Sequence, residues 1–145
     1  MSYTFATRTI NAPADVVFRT VADINQYSKA IPHIVKVEFL SEKKSGIGTR
    51  FRETRLMKGK ETSTELEVTE YVPNDHIRLV SDTHGTIWDS IFTAKPDNGK
   101  TLLTFTMDAR AKKIIPKIMI FFIRHMVQKA VEEDIDLVKS FCEKK

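Results

Sequence analysis

The sequence predicts an α+β domain in which a curved antiparallel sheet wraps around one long C-terminal helix. Three observations carry this expectation. Apolar residues recur at helical spacing only in a short early stretch and in the last third of the chain, and alternate with period two between them. The alternating runs are separated by turn chemistry at Lys43-Lys44-Ser45-Gly46, Lys58-Gly59-Lys60, Pro73-Asn74-Asp75, Thr83-His84-Gly85 and Pro96-Asp97-Asn98-Gly99. The final helix carries an apolar arc that needs an apolar partner, and the strands are the only partner large enough.

Taken in order, Tyr3 to Ile10 alternates with Tyr3 and Phe5 as its apolar side and ends at Asn11-Ala12-Pro13, a strand running into a helix start. Pro13 suits the first helical turn, where its missing N–H costs nothing. Val16, Val17, Val21 and Ile24 then recur at helical spacing. A second short helix over Asn25 to Ala30 must end before Pro32, because proline pushes the preceding residue out of the α region. Six strands follow, around Val35/Val37/Phe39, Phe51 to Met57, Leu66/Val68, Ile77/Leu79, Ile87 to Phe92 and Leu103/Phe105/Met107, and their short connections make an antiparallel meander. From about Pro116 to Glu143 no internal glycine or proline interrupts a helix. Its arc runs through Ile120, Ile123, Met126, Val127, Ala130, Val131, Ile135, Val138 and Phe141, opposite Lys129, Glu132, Asp136 and Lys139.

Composition bounds the class. With 145 residues, 41% hydrophobic and 29% charged, residues 1–145 read as one globular domain that needs no covalent staple. The single cysteine, Cys142, excludes an internal disulfide and paired-cysteine zinc sites, and reads as a packing residue. Met1 to Arg8 lacks the basic head and apolar run of a signal peptide, so a cytoplasmic location is expected. The net charge is +4, concentrated in two segments. Lys36 to Lys60 holds eight basic and three acidic residues, and Lys112 to Lys129 five basic and none acidic. Such segments are either a solvated face or an attraction for acidic ligands, anionic lipid or RNA.

A sheet that grips one helix diverges from it at the ends, which leaves room for a ligand. Phe51, Glu53, Arg55 and Met57 share one strand face. Together with Trp88, Phe105 and Met107 on later strands and Met119, Ile123 and Met126 on the helix, they form the candidate ligand-binding set. Glu53 and Arg55 either pair, or hold a polar ligand group, or mark the solvent face of their strand. Asp134 lies inside the apolar arc and calls for a hydrogen-bond partner or an arginine, unless it sits where the arc reaches the surface. Ile114 to Ile123 is apolar nearly all round, but Ile114 to Val127 is too short and too charged to span a bilayer. Pocket packing, a homodimer contact or a membrane surface would each give it a place.

Catalytic motifs are scarce. The glycines at 46, 48, 59, 85 and 99 form no phosphate-binding loop, and His33, His76, His84 and His125 have no metal-ligand spacing, so no metal or cofactor is expected, nor is DNA a partner. In Ser81 to Asp89, His84 sits in a turn and Asp89 faces away from Trp88, and nothing orients one onto the other.

Several phrases, in this order, resemble a known family. Ile10-Asn11-Ala12-Pro13-Ala14-Asp15-Val16-Val17-Phe18 with Asp23 following, Ile31-Pro32, Gly46-Ile47-Gly48-Thr49-Arg50-Phe51, Gly85-Thr86-Ile87-Trp88 and Glu132 to Lys139 are similar to phrases of the START/Bet v 1-like superfamily, also called SRPBCC or polyketide cyclase/dehydrase-like. The resemblance implies a helix-grip fold whose cavity holds a hydrophobic or amphipathic small molecule. It does not imply one activity, since relatives include ligand carriers, aromatase/cyclases, quinone-binding proteins and a ribosome-association toxin. The leading expectation is a non-catalytic binding or carrier protein for a lipid, quinone or polyketide-like molecule. The alternative is a cyclase or dehydratase, with Arg55 as electrophilic stabiliser and Glu53 as general base. A further alternative is a module that attaches to a ribosome or membrane surface through the basic segments.

Overall fold

The computed structural model describes residues 2–83, 85–111 and 116–144. Strand β1 (Ser2–Ile10) leads into helices α1 (Ala14–Ala22) and α2 (Ile24–Ala30). Strands β2 (Ile34–Phe39), β3 (Arg50–Met57), β4 (Lys60–Val72), β5 (His76–Thr83), β6 (Thr86–Asp97) and β7 (Lys100–Ala111) follow, then helix α3 (Lys117–Glu143). The strands form one antiparallel sheet in the order β1-β7-β6-β5-β4-β3-β2. The meander predicted from the turn residues is therefore present, with β1 closing onto β7. Two hairpins use two-residue turns with both residues at positive φ, Lys58-Gly59 and Asn98-Gly99. That conformation matches the twist of the flanking strands, and at its second position glycine adopts it without a Cβ clash.

Local chemistry sets the early boundaries. Pro13 stands one residue ahead of α1 as its N-cap, with ψ at 152°, rather than inside the first turn; its carbonyl accepts from the Val16 and Val17 amides. Asp23 ends α1 and starts α2, its Oδ1 accepting from the Asn25 amide at 2.9 Å and the Gln26 amide at 3.2 Å. In β1 the buried side is Thr4, Ala6 and Ile10, and Phe5 is exposed, the reverse of the phase read from Phe5 as an apolar residue. The small Thr4 and Ala6 face inward where α3 lies across this strand.

Helix α3 is anchored along β1 by a ladder of polar contacts. Gln128 donates to the Phe5 carbonyl, Arg8 pairs with Asp136 at 2.7 Å, Lys139 donates to the Thr9 carbonyl and the Asn11 amide donates to Glu143. From Phe5 to Asn11 the strand rises roughly 20 Å, and from Gln128 to Glu143 the helix rises roughly 22 Å, so strand and helix run parallel in step. Val131, Ile135, Val138 and Cys142 pack into the core with Ile10, Val17, Phe18 and Leu103.

Ahead of Gln128 the ladder stops. Only Ser2 to Thr4 of β1 remain, roughly 10 Å, against roughly 16 Å of helix from Lys117 to Val127. The first turn of α3 therefore overhangs, and across this part Ile118, Met119, Phe121, Phe122 and Met126 are exposed, Met126 by 70%. The continuous buried arc expected from the helical wheel holds only from Val131 onward. Ile114 and Ile115, part of the same apolar segment, lie outside the described residues, as do Lys112 and Lys113. No helix among the described residues is long and apolar enough to cross a membrane.

Candidate functional site

Between the concave sheet face and the helices lies a cavity of about 420 Å³, within the roughly 300–1,000 Å³ usual for small-molecule sites. Alternation puts every second residue of β3, β5, β6 and β7 into it: Phe51, Glu53, Arg55 and Met57; Ile77, Leu79 and Ser81; Trp88, Ser90 and Phe92; Phe105 and Met107. Tyr27 of α2 and Ala130, Val131 and Asp134 of α3 complete the wall on the helical side. Phe92 and Phe105 stack at 4.1 Å between ring centroids, with Tyr27 edge-on to Phe92 at 5.6 Å, which makes a rigid aromatic floor.

Of the residues singled out from sequence, Phe51, Glu53, Arg55, Met57, Trp88, Phe105 and Met107 line this cavity. Met119, Ile123 and Met126 do not. They belong to the part of α3 ahead of its polar ladder to β1, and Met119 and Met126 are exposed. Helical periodicity identified the arc correctly but carries no information about where that ladder ends.

The polar end of the cavity is an ion cluster. Arg55 donates from Nε to Glu53 Oε2 at 2.8 Å and lies 3.1 Å through Nη1 from Asp134 Oδ2. The same Nη1 is 3.0 Å from His33 Nε2, which must accept, because a guanidinium only donates. Tyr27 donates its hydroxyl to Asp134 Oδ2 at 3.2 Å. Burial opposes the Arg55 charge, but Glu53 and then Asp134 outweigh it and hold the guanidinium above its ordinary pKa. Burial, reinforced by Asp134, pushes the Tyr27 phenol well above its ordinary value and keeps it a donor. Glu53 and Arg55 thus lie on the cavity face rather than a solvent face, and the partner Asp134 requires is Arg55.

This arrangement changes the part Arg55 can play. Read from sequence it pairs with Glu53 or holds a polar ligand group; in the structure two carboxylates, Glu53 and Asp134, already neutralise it. Tyr27, His33 and Asp134 complete the cluster and were absent from the candidate ligand-binding set. Asp134 had a signal, a lone acid within an apolar arc. Tyr27 had a weaker one, three residues after Ile24 on a short helix. His33 had none, since its approach depends on the β2–β3 register that sets Ile34 opposite Arg55.

The convex face holds a second charged group. Asp89, turned away from Trp88, takes a 2.8 Å bond from Arg78 Nε and a longer one from Arg110, and Glu70 and His76 extend the network. Arg78 holds the Asp89 carboxyl below its ordinary pKa. The network lies across the sheet from the cavity and cross-links β4, β5, β6 and β7. His84 lies outside the described residues.

Comparison with known proteins agrees with this geometry. The family described as polyketide cyclase/dehydrase and lipid transport matches residues 4–143. Similar solved structures include a START superfamily protein from Mycobacterium smegmatis, with TM-score 0.80, 17% identity and 99% of each chain covered. The Zhui aromatase/cyclase from a Streptomyces species superposes with TM-score 0.74 and 19% identity over 98% of this chain and 91% of its own. A Thermus thermophilus protein gives TM-score 0.73 and 22% identity over 98% and 94%. No curated protein matches the chain by sequence. A match over nearly its whole length, with the curved seven-stranded sheet closed on a C-terminal helix, places the chain in the polyketide cyclase/dehydrase and lipid transport family.

Proposed function

We propose that this protein binds or carries a hydrophobic or amphipathic small molecule in the cavity between sheet and helices. The observation that carries the reading is the cavity itself, apolar along most of its wall and closed at one end by fixed polar groups. Burying such a volume without an occupant forfeits contacts that the lining side chains would otherwise make. Trp88 is the sole tryptophan and lines the cavity, so its fluorescence reports occupancy directly. Native mass spectrometry of protein purified from its host should show a co-purified apolar ligand, and fatty acids, quinones or polyketides should shift Trp88 emission. Neither signal appearing, across repeated preparations, would overturn the reading.

A second reading is supported by Glu53 and Arg55 both lining the cavity: a cyclase or dehydratase in which Arg55 polarises a substrate carbonyl and Glu53 takes a proton. Holding a flexible poly-ketone chain in one conformation accounts for much of such a rate enhancement. Turnover of a poly-ketone thioester by the purified protein, lost in Glu53→Gln with unchanged melting temperature, would move the assignment to an enzyme.

The apolar start of α3 supports an accompanying attachment to anionic membrane, because Phe121, Phe122 and Met126 are exposed within a segment that carries basic residues and no acidic ones. Sedimentation with anionic liposomes at low and at moderate salt tests it; protein left in the supernatant at both removes this role. Ribosomes and analytical ultracentrifugation serve as the comparison arms for ribosomal attachment and for a homodimer.

A further inference from the structure

The polar end of the cavity has a charge balance that restricts its ligand. Arg55 contributes one positive charge, Glu53 and Asp134 two negative ones, Tyr27 is an uncharged donor and His33 meets Arg55 as an acceptor. The side chains of Glu53, Arg55 and Asp134 are 13%, 22% and 9% exposed, so bulk water screens this excess negative charge poorly. The acceptor capacity is also unequal. Asp134 takes bonds from Arg55 and Tyr27, and Glu53 Oε2 from Arg55, whereas Glu53 Oε1 has no partner among the described residues. It is not among the buried unsatisfied atoms either, so it keeps accessible surface, and Glu53 lines the cavity.

We infer that the cavity selects an apolar molecule whose polar end donates a hydrogen bond and bears no negative charge, a hydroxyl or phenol rather than a carboxylate, with Glu53 Oε1 as its acceptor. A hydroxyl gives Glu53 Oε1, the carboxylate oxygen of the cluster without a partner among the described residues, its hydrogen bond. A carboxylate brings a third negative charge beside two that Arg55 already shares, and it has no proton to give. Glu53 is therefore a specificity-determining residue, and the cluster as a whole repels anions although it contains an arginine. This inference rests on the binding reading proposed above and names the ligand class for the same cavity.

The test compares 1-decanol with decanoate at neutral pH, matched in chain length, by Trp88 fluorescence titration and isothermal calorimetry. Wild-type protein should bind decanol at least about tenfold more tightly. A carboxylate loses more hydration than an alcohol in any apolar site, so the deciding measurement is the change on neutralising the cluster. Glu53→Gln and, separately, Asp134→Asn each remove one negative charge while keeping shape, and each should strengthen decanoate binding and narrow the gap to roughly threefold or less. Decanoate binding as tightly as decanol to wild-type protein would overturn the inference and leave the binding reading intact. A gap unchanged in both variants, with folding verified by circular dichroism, would show that the cluster does not discriminate. Binding of neither probe, nor of any other amphiphile, would remove the inference together with the reading on which it rests.

Discussion

Replacing Arg55 with methionine isolates the energetic role of the cavity's ion cluster. Arg55 holds two carboxylates, at 2.8 Å from Glu53 and 3.1 Å from Asp134, with limited exposure of all three side chains. At a charge separation of about 4 Å and an effective dielectric near 20, each attraction is worth about 4 kcal/mol before the cost of desolvation is counted. Removing one partner of a buried pair generally costs about 3–5 kcal/mol, mostly because the remaining charge stays buried and uncompensated. The 22% exposure of Arg55 toward the cavity admits some water and places the expectation at the lower end, about 3 kcal/mol. For a chain of this length that lowers the melting temperature by roughly 6–12 °C. Urea unfolding followed by circular dichroism at neutral pH measures it. The triple variant Glu53→Gln, Arg55→Met, Asp134→Asn leaves no charge in the cluster and should regain at least half of the loss. A loss for Arg55→Met below about 1 kcal/mol, the scale of an exposed ion pair, would refute the argument. So would a triple variant no more stable than the single one.

Three other outcomes are expected. Ile135→Ala removes a fully buried side chain from the gripped half of α3 and should cost about 2–5 kcal/mol, whereas Met126→Ala ahead of the ladder should change stability by less than about 0.5 kcal/mol; parallel denaturant titrations check both. The Asp75 carboxylate, with a smaller contribution from Glu70, raises the His76 pKa above its ordinary 6.5. Because the folded value is the higher one, this stabilisation is complete below about pH 6.5 and fades as pH rises through the folded pKa, so the melting temperature of wild type over His76→Gln should exceed its alkaline value most clearly near pH 6. Lys58 sits at φ 53° in the β3–β4 turn, a conformation that asparagine adopts more readily. Lys58→Asn should therefore raise stability by a few tenths of a kcal/mol, up to about 0.5, by thermal melting.

The order of elements was legible because it rests on local rules. Period-two alternation, turn residues such as Asn98-Gly99, and an uninterrupted helical arc after Pro116 each act within a few residues of the chain. The strand face carrying Phe51, Glu53, Arg55 and Met57 followed from the same alternation. Where sequence reasoning failed, the missing quantity was relative position. Phe5 is apolar yet points outward, while the small Thr4 and Ala6 face inward where α3 lies across β1. Met126 shares the arc of Val131, yet it is 70% exposed and lies outside the cavity lining.

The sequence by itself determined the meander, the three helices and a strand face bearing two opposite charges, since each depends on periodicity and turn propensity, but not whether that face turns inward. Only the tertiary structure decided what those charges do. The antiparallel register of β2 on β3 brings His33 to Arg55, and the ladder along β1 sets the rotation of α3 that turns Asp134 toward the same guanidinium. Tyr27 arrives from a third element. Contacts such as Arg55 to Asp134, 79 positions apart, and Tyr27 to Asp134, 107 apart, depend on the lengths and crossing of whole elements, which no local pattern encodes, and they make the arginine the neutralised centre of a cluster with an excess negative charge.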